Sequence, residues 1–484
     1  MDLFLTPEDR GAGLVRALYE RVRGAIDEGR IGPGDALPPS RDLARQLGVS
    51  RHTVTTAYGY LVAEGFLDGA AGGGTRVSPL AARAGGGRPA RRFRSSAATP
   101  PPPGAAAPGG GPGAGPALRL PVGLPDPSLF PAAAWRRCMA RALREPEPGY
   151  GDHAGEPALR AAIAAYVHRS RGVTSGPDGV VVAAGAQQAF ALALLALVRP
   201  GEVVAVEDPG YARFRLLAEA RGARVVPVPV DGEGLVVDAL PPRARLVHVT
   251  PSHQFPTGVA LSLARRRALA AWARRTGAVV LEDDYDSEFR HARRPLEPLY
   301  RLDPGGRIVY VGSFSKSFSP ALRLGFAVAA PELAREIAAM RALTDWHSPA
   351  VLQRALAAFL AEGEMDRHVR RARRAYRERH DRIVAGLAGI LARGTGRGRP
   401  PGQPPALVAS GAGLHVAVEL PRGEEERVLS EAREAGLGLE GMSPHAVASR
   451  REGVLVGFGA AGLPEVERAL AVLARVIPHG SRRR

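Results

Sequence analysis

RIVYVGSFSKSFSPALRLGF, residues 307–326, is the stretch on which the reading turns. Its first part is apolar and β-branched and reads as a buried strand ending at Gly312. Ser313 and Ser315 flank the approach to Lys316, and Arg323 lies further along the same stretch. Of the 65 Lys plus Arg residues in the chain, Lys316 is the one lysine and all the others are arginine. Enrichment in Ala, Arg, Gly and Pro points to a GC-rich coding sequence, in which arginine replaces lysine wherever charge alone matters. Arginine stays protonated and cannot act as a nucleophilic amine. Lysine can lose its proton and form a Schiff base. An amine for an aldehyde, with hydroxyls and a guanidinium for a phosphate, suits a small anionic aldehyde cofactor.

Working outward, AVVLEDDYDSEF (278–289) is an apolar strand that runs into a cluster of acids. Buried acids are expensive unless they meet a cation. The ring nitrogen of pyridoxal 5′-phosphate (PLP) is such a cation, and a carboxylate beside it keeps the ring protonated. Asp283 is the expected carboxylate. Tyr285, two residues on and facing the same side, is placed to bond the ring hydroxyl, while Asp284 and Asp286 point away. VVVAAGAQQAFALALLAL (180–197) leads from a strand through Ala184, Gly185 and Ala186 into a helix, whose first N–H groups favour phosphate. EDPGYARFR (207–215) supplies Tyr211 to lie against a flat ring and Arg213 to approach a carboxylate. No histidine pair at ligand spacing supports a metal.

These strands, with ARLVHVT (244–250), alternate with long Ala/Leu/Arg-rich helical segments. That pattern predicts an α/β domain with a mostly parallel sheet covered on both faces. The domain is expected over 117–484, its large part at about 150–345. A smaller C-terminal α/β lobe is expected at about 346–484, joined by 117–149. Residues 79–116, rich in Pro, Gly and Ala with scattered Arg and no acids, read as a flexible linker.

Residues 10–78 have a different texture. Leu14, Leu18, Val22 and Ile26 recur every four residues and predict an amphipathic helix from Leu14 to Ile31. Ser40 is expected to cap a short helix, Arg41–Leu47. Gly48 turns the chain, and Ser50 caps a second helix running to about Glu64. FLDGAAGGGTRVS (66–78) then reads as two short β segments around a glycine tip. This is a winged helix-turn-helix, mainly α with a β-wing. Its second helix enters the major groove of double-stranded DNA with Ser50, Arg51, Thr53 and Thr55 at its N-terminal end. Arg41 opens the supporting helix, within reach of a phosphate or a guanine edge. Net charge does not reveal this element: the whole chain carries +17, yet residues 1–78 hold nine arginines against ten acids.

LPPSRDLARQLGVSRHTVTTAYGYLVAEGFLDGAAGGGTRV (37–77) resembles the GntR-type winged helix at nearly every position. The resemblance implies DNA contacts from Arg41, Arg51, Thr53 and Thr55, with Gly74 in the wing. Further on come GYGDHAGEPALRAAIAAYVHRSRGV (149–173), AGAQQAF, EDPGY, TPSHQFPTG (250–258), EDDYDSEFR and GSFSKSF. In that order they resemble the fold-type I PLP aminotransferase-like domain of MocR/GabR-type regulators. The likeness implies that Lys316 holds PLP as an internal aldimine. Asp283 then pairs with the ring nitrogen, Tyr285 contacts the ring oxygen and Tyr211 stacks. Ser313, Ser315 and Arg323 hold the phosphate with Ala186 and Gln187. Aminotransferases carry an Asn-Pro-x-Gly motif where this chain has SHQFPTG, which makes His253 or Gln254 the candidate replacement for the Asn. The carboxylate-binding arginine of their small lobe has only Arg450 and Arg451 nearby as counterparts.

The resemblance implies a transcription regulator that senses PLP, an amino compound forming an external aldimine, or both. An aminotransferase with an accessory DNA-binding module is the alternative, and control of vitamin B6 supply by PLP alone is a third reading. It also implies a homodimer, arranged head-to-tail. No run of eighteen uncharged apolar residues occurs, the N-terminal stretch lacks signal-peptide character, and Cys138 is the one cysteine. A cytoplasmic protein with no membrane partner, disulfide or cysteine-based zinc site is expected.

Overall fold

The computed structural model describes residues 13–70, 74–81, 118–145, 149–291, 297–303, 305–393, 405–408 and 410–477. The chain divides into two compact units, residues 1–98 and 99–484. Most of the expected linker, from residue 82 onward, and the wing tip at 71–73 lie outside the described residues.

In the first unit, α1 (Leu14–Asp27) buries Leu18, Val22 and Ile26 along one stripe. It stops short of the expected Ile31 because Gly29 takes a left-handed conformation, φ 73°. A short strand β1 (Ala36–Leu37) precedes α2 (Ser40–Leu47). Pro39, not Ser40, stands at the N-cap of α2, so the serine begins the helix instead of capping it. Gly48, at φ 64°, closes α2. Ser50 caps α3 (Arg51–Ala63), its Oγ accepting from the Thr53 N–H at 3.0 Å. The wing is β2 (Leu67–Ala70) and β3 (Gly74–Val77), in a three-stranded sheet ordered β1-β3-β2. Leu43, Val54, Ala57 and Leu61 fill the core with the α1 stripe, Leu67 and Val77.

The second unit opens with β4 (Leu118–Arg119), α4 (Ala132–Ala142) and α5 (Pro157–Arg171). The large sheet is then laid down by β5 (Val180–Ala183), α6 (Ala186–Leu197), β6 (Val203–Asp208), α7 (Ala212–Ala220), β7 (Arg224–Asp231) and β8 (Gly234–Leu235). It continues through β9 (Ala244–Val249), α8 (Leu263–Thr276), β10 (Val279–Asp284), β11 (Ile308–Ser313), the single turn α9 (Phe314–Ser317) and β12 (Gly325–Val328). The strand order is β5-β12-β11-β10-β9-β6-β7-β8. The central run from β11 to β7 is parallel, while β12 runs antiparallel to both its neighbours. Strands β6, β10 and β11 are buried along almost their whole length, as a sheet covered on both faces requires.

Helices α10 (Pro331–Thr344), α11 (Ala350–Ala361) and α12 (Glu364–Arg393) lead to the last sheet. That sheet is formed by β13 (Ala406–Leu407), β14 (His415–Glu419), β16 (Glu440–Gly441) and β17 (Gly453–Gly457), in the order β13-β14-β17-β16. It packs with α13 (Glu425–Glu434) and α14 (Leu463–Val476). Helices α4 and α11 share a core with α5 and the large sheet, through Trp135, Cys138, Leu159, Leu356 and Phe359. The sequence reading grouped both with the C-terminal lobe. β15 (Leu437–Gly438) pairs in parallel with β4, which draws residues 120–124 over the ends of the large-sheet strands.

Candidate functional site

A cavity of about 560 Å³ lies at the carboxyl ends of β5, β6, β10 and β11. Open α/β sheets place ligands at such strand ends, because the loops and helix starts there converge. Lys316 lies on α9, a turn that starts where Ser313 Oγ accepts from the Ser315 N–H at 3.1 Å. Phe314 and Phe318 anchor the turn in the core. Burial pushes the lysine ammonium below its ordinary range. Asp286, Asp283 and Glu440 oppose this, and the positive Arg213 adds to it. Gly123 approaches the amine at φ 68°, a backbone conformation that favours glycine, and a Cβ there would lie 2.8 Å from Lys316 Nζ and push the amine aside.

Asp283 is the next-to-last residue of β10 and is buried. One of its oxygens, Oδ1, has no hydrogen-bond partner among the described residues, and Oδ2 lies 3.6 Å from His248 Nε2. Burial raises its carboxyl and His248 draws it back down. His248 is stacked on Phe214 at 4.1 Å and forms a floor behind the acid. The sequence reading passed over it, although a histidine between the valines of ARLVHVT was a signal. Tyr285 lines the cavity, and its hydroxyl donates to the His253 carbonyl at 2.9 Å.

At the other end, α6 begins at Ala186, with Gln187 behind it. Gln187 Oε1 is buried without a partner among the described residues. Arg323 stands on the rim in a left-handed conformation and donates to the Ala184 carbonyl at 2.8 Å. A Cβ on Gly185 would meet that guanidinium at 2.7 Å. Ser313 Oγ and Ser315 Oγ are 3.0 Å apart. Tyr211 packs edge-on to Phe255, 5.8 Å between centroids, and Arg213 faces the same cavity. The structure thus brings Lys316, Asp283, Tyr285, Tyr211, Ala186, Gln187, Ser313, Ser315, Arg323 and Arg213 to one cavity.

His253 and Gln254 are not part of its lining, so neither replaces the missing Asn. The chain turns both inward. Gln254 bonds Glu207 and the Pro209 and Phe255 carbonyls. His253 Nδ1 lies 3.1 Å from Asp286, and its Nε2 lies 2.9 Å from Ser410 Oγ. Asp284, pointing away as expected, meets Arg171 at 2.6 Å and accepts from the Tyr310 hydroxyl. Arg451 pairs with Glu419, and neither it nor Arg450 reaches the cavity. From the C-terminal lobe the cavity receives Glu440 and His445. Asp208 holds that side in place by accepting from the Val447, Ala448 and Ser449 N–H groups, each at 2.8 Å.

In the first unit, Arg41, Ser50, Arg51 and Thr55 are exposed around the start of α3, and Gly74, at φ 81°, opens β3. Thr53 departs from the expectation. It is 9% exposed, and its hydroxyl lies 2.8 Å from Ser50 Oγ, so it serves the cap and the core face of the helix.

PLP can be tested against the cavity. Asp283 would hold its protonated ring nitrogen, through an oxygen with no partner among the described residues, and Lys316 would hold its aldehyde. The start of α6, Ser313, Ser315 and Arg323 would hold its phosphate, beside Gly185, where a Cβ would crowd the guanidinium. The residues fit the group. Residues 124–403 match the family described as aminotransferase class I and II, and residues 14–77 match the bacterial regulatory proteins of the gntR family. The chain is 34% identical to the HTH-type pyridoxine biosynthesis transcriptional regulator PdxR of Corynebacterium glutamicum, over 96% of each protein. It is 39% identical to the HTH-type transcriptional regulator TauR of Rhodobacter capsulatus, over 78% of this chain and 80% of TauR. The chain belongs to the MocR/GabR-type transcriptional regulators.

Like other members, this MocR/GabR-type regulator joins a DNA-binding gntR-type unit to an aminotransferase-like unit whose cofactor is PLP. The second unit is similar in structure to LysN, an α-aminoadipate aminotransferase of Thermus thermophilus. The TM-score is 0.66 at 28% identity, covering 74% of this chain and 92% of LysN. Among the described residues, no helix of the MocR/GabR-type chain is long and apolar enough to cross a membrane.

Proposed function

We propose that the aminotransferase-like unit is the sensor of this transcription regulator, responding to PLP, to an amino compound that meets it in the cavity, or to both. The observation that carries this reading is the position of Lys316: the single lysine of the chain faces the same cavity as the unpartnered oxygen of Asp283. When bound, PLP supplies an aldehyde for amines and a protonated ring that withdraws electrons. In this assignment Lys316 holds the aldehyde carbon, and Asp283 keeps the proton on the ring nitrogen, itself backed by His248. Tyr285 orients the ring hydroxyl, and Tyr211 covers the ring. Arg323, Ser313, Ser315 and the α6 start at Ala186 and Gln187 hold the phosphate. Arg213 receives an effector carboxylate. Arg41, Ser50, Arg51, Thr55 and the wing at Gly74 face the operator, with Thr53 positioning the helix start.

A ligand shifts a regulator only by its differential affinity for two states. Effector binding is therefore assigned to change DNA affinity. A cytoplasmic homodimer, head-to-tail, is part of the proposal. Exposed Tyr150 and Trp346, which lie against each other, support a protein–protein surface on the second unit. The 67° φ of Trp346 turns its ring against Tyr150, at 5.1 Å.

The test is a visible spectrum of the purified protein with PLP, before and after borohydride, followed by peptide mass analysis. The expected result is an absorption band that moves on reduction, with the cofactor mass on the Lys316 peptide. A protein left colourless and unmodified after incubation with PLP overturns the reading.

A further inference from the structure

Five charged side chains line the cavity among the described residues: Lys316, Arg323, Asp283, Arg213 and Glu440. The cofactor reading above occupies the first three. What the cavity recognises beyond the cofactor is therefore set by Arg213 and Glu440, with the nearby His445. The Arg213 guanidinium makes no hydrogen bond or ion pair to any described residue. Glu440 begins β16, and its Oε1 accepts from the Val122 N–H at 3.1 Å. Its other oxygen has no hydrogen-bond partner among the described residues. Val122 adjoins Gly123, the residue pressed against Lys316 Nζ, so the carboxylate stands one residue along from the amine. Burial raises the Glu440 carboxyl, while the Val122 N–H, Lys316 and Arg213 hold it down.

His445 adds an independent sign of a missing ligand. It is 8% exposed, and its Nδ1 has no partner among the described residues. Burial pushes its pKa down to about 4, with Arg215 and Arg213 adding to the shift, so the ring is neutral near pH 7. The C-terminal-lobe wall thus offers one anion and one neutral imidazole. A dicarboxylate would set its second carboxylate against Glu440, and like charges so close oppose binding. An apolar side chain would leave Glu440 and His445 unpaired and dehydrated.

We propose that the effector read by this cavity is a diamino compound. One amino group is presented at the Lys316 end, and the second pairs as an ammonium with Glu440 beside His445. Where the molecule carries a carboxylate, Arg213 takes it. This rests on the cofactor reading above.

The experiment is titration calorimetry of the PLP-loaded full chain with three probes: ornithine, norvaline and glutamate. Norvaline has the same carbon chain as ornithine but lacks its second amine. Ornithine is expected to bind at least about tenfold more tightly than norvaline, with glutamate weaker still. Glu440→Gln is expected to bring ornithine to the norvaline level. Norvaline or glutamate binding wild type as tightly as ornithine overturns the proposal, as does a preference that survives Glu440→Gln, or no heat with ornithine. The wild-type ranking stands as a test even where the variant folds poorly. Failure of the underlying cofactor reading shows separately, as the absence of a cofactor band before any probe is added.

Discussion

The N-terminal unit keeps its candidate contacts in water, whereas the C-terminal unit takes its own out of it. Arg41, Arg51 and Thr55 stand exposed around the start of α3, above a core they do not help to build. Asp283, Ser313 and His445 are buried, and several cavity atoms have no partner among the described residues. A surface that reads DNA needs reach and charge, and water can satisfy it when DNA is absent. A cavity that holds an anionic cofactor needs polar atoms left unpaired in a dry place, and surrounding structure must offset their cost. Substitutions should therefore separate binding from stability in the first unit and entangle them in the second.

The largest effect is expected from Lys316→Arg. It keeps the charge and removes the titratable amine, so borohydride should trap no cofactor on the corresponding peptide. In wild type the rate of adduct formation should rise with pH as the amine loses its proton. Burial favours the neutral amine, so the midpoint should fall below the ordinary lysine value of about 10.4. A midpoint at or above that value would remove the argument that this lysine is primed.

Next comes Arg171→Met, outside the cavity. Arg171 and Asp284 are almost fully buried and 2.6 Å apart. Removing one partner strands the other and should cost about 3–5 kcal/mol in urea unfolding of the second unit. A near-neutral result would mean that the acids of β10 are less dependent on their partners than the geometry says.

The smallest change is expected from Arg51→Ala. Affinity for operator DNA, followed by fluorescence anisotropy, should fall by about 1–3 kcal/mol with a shallower salt dependence. Folding stability should stay within about 0.5 kcal/mol. A stability loss as large as that of Arg171→Met would erase the contrast between the units.

Legibility in the sequence follows the same divide. The first unit is built from local signals, and the apolar stripe of α1, Gly48 and the Ser50 cap can be read one turn at a time. Thr53 was misplaced because its position at the helix start suggested a groove contact, while the spacing to Ala57 and Leu61 puts it on the buried stripe. In the second unit the strand ends announced themselves, since each carries an unusual residue after an apolar run. β12 was not distinguished because four apolar residues give too short a pattern. Glu440, His445 and Gly123 were missed because each joins the cavity from a distant segment with no local mark. The pairing of β4 with β15 that brings two of these segments together spans over three hundred residues. His253 and Gln254 failed as ring contacts because their loop folds inward onto Glu207 and Asp286.

The arginine bias carries one more consequence, for the behaviour of the molecule as a titrating body. Guanidinium groups hold their protons above pH 12, whereas ammonium groups discharge near pH 10. A chain with a single lysine has almost no basic charge to lose across the alkaline range. Its attraction to a polyanion should thus outlast that of a lysine-rich protein as alkali is added. Apart from the terminal amine, the only ammonium that discharges in that range is the one facing the cavity.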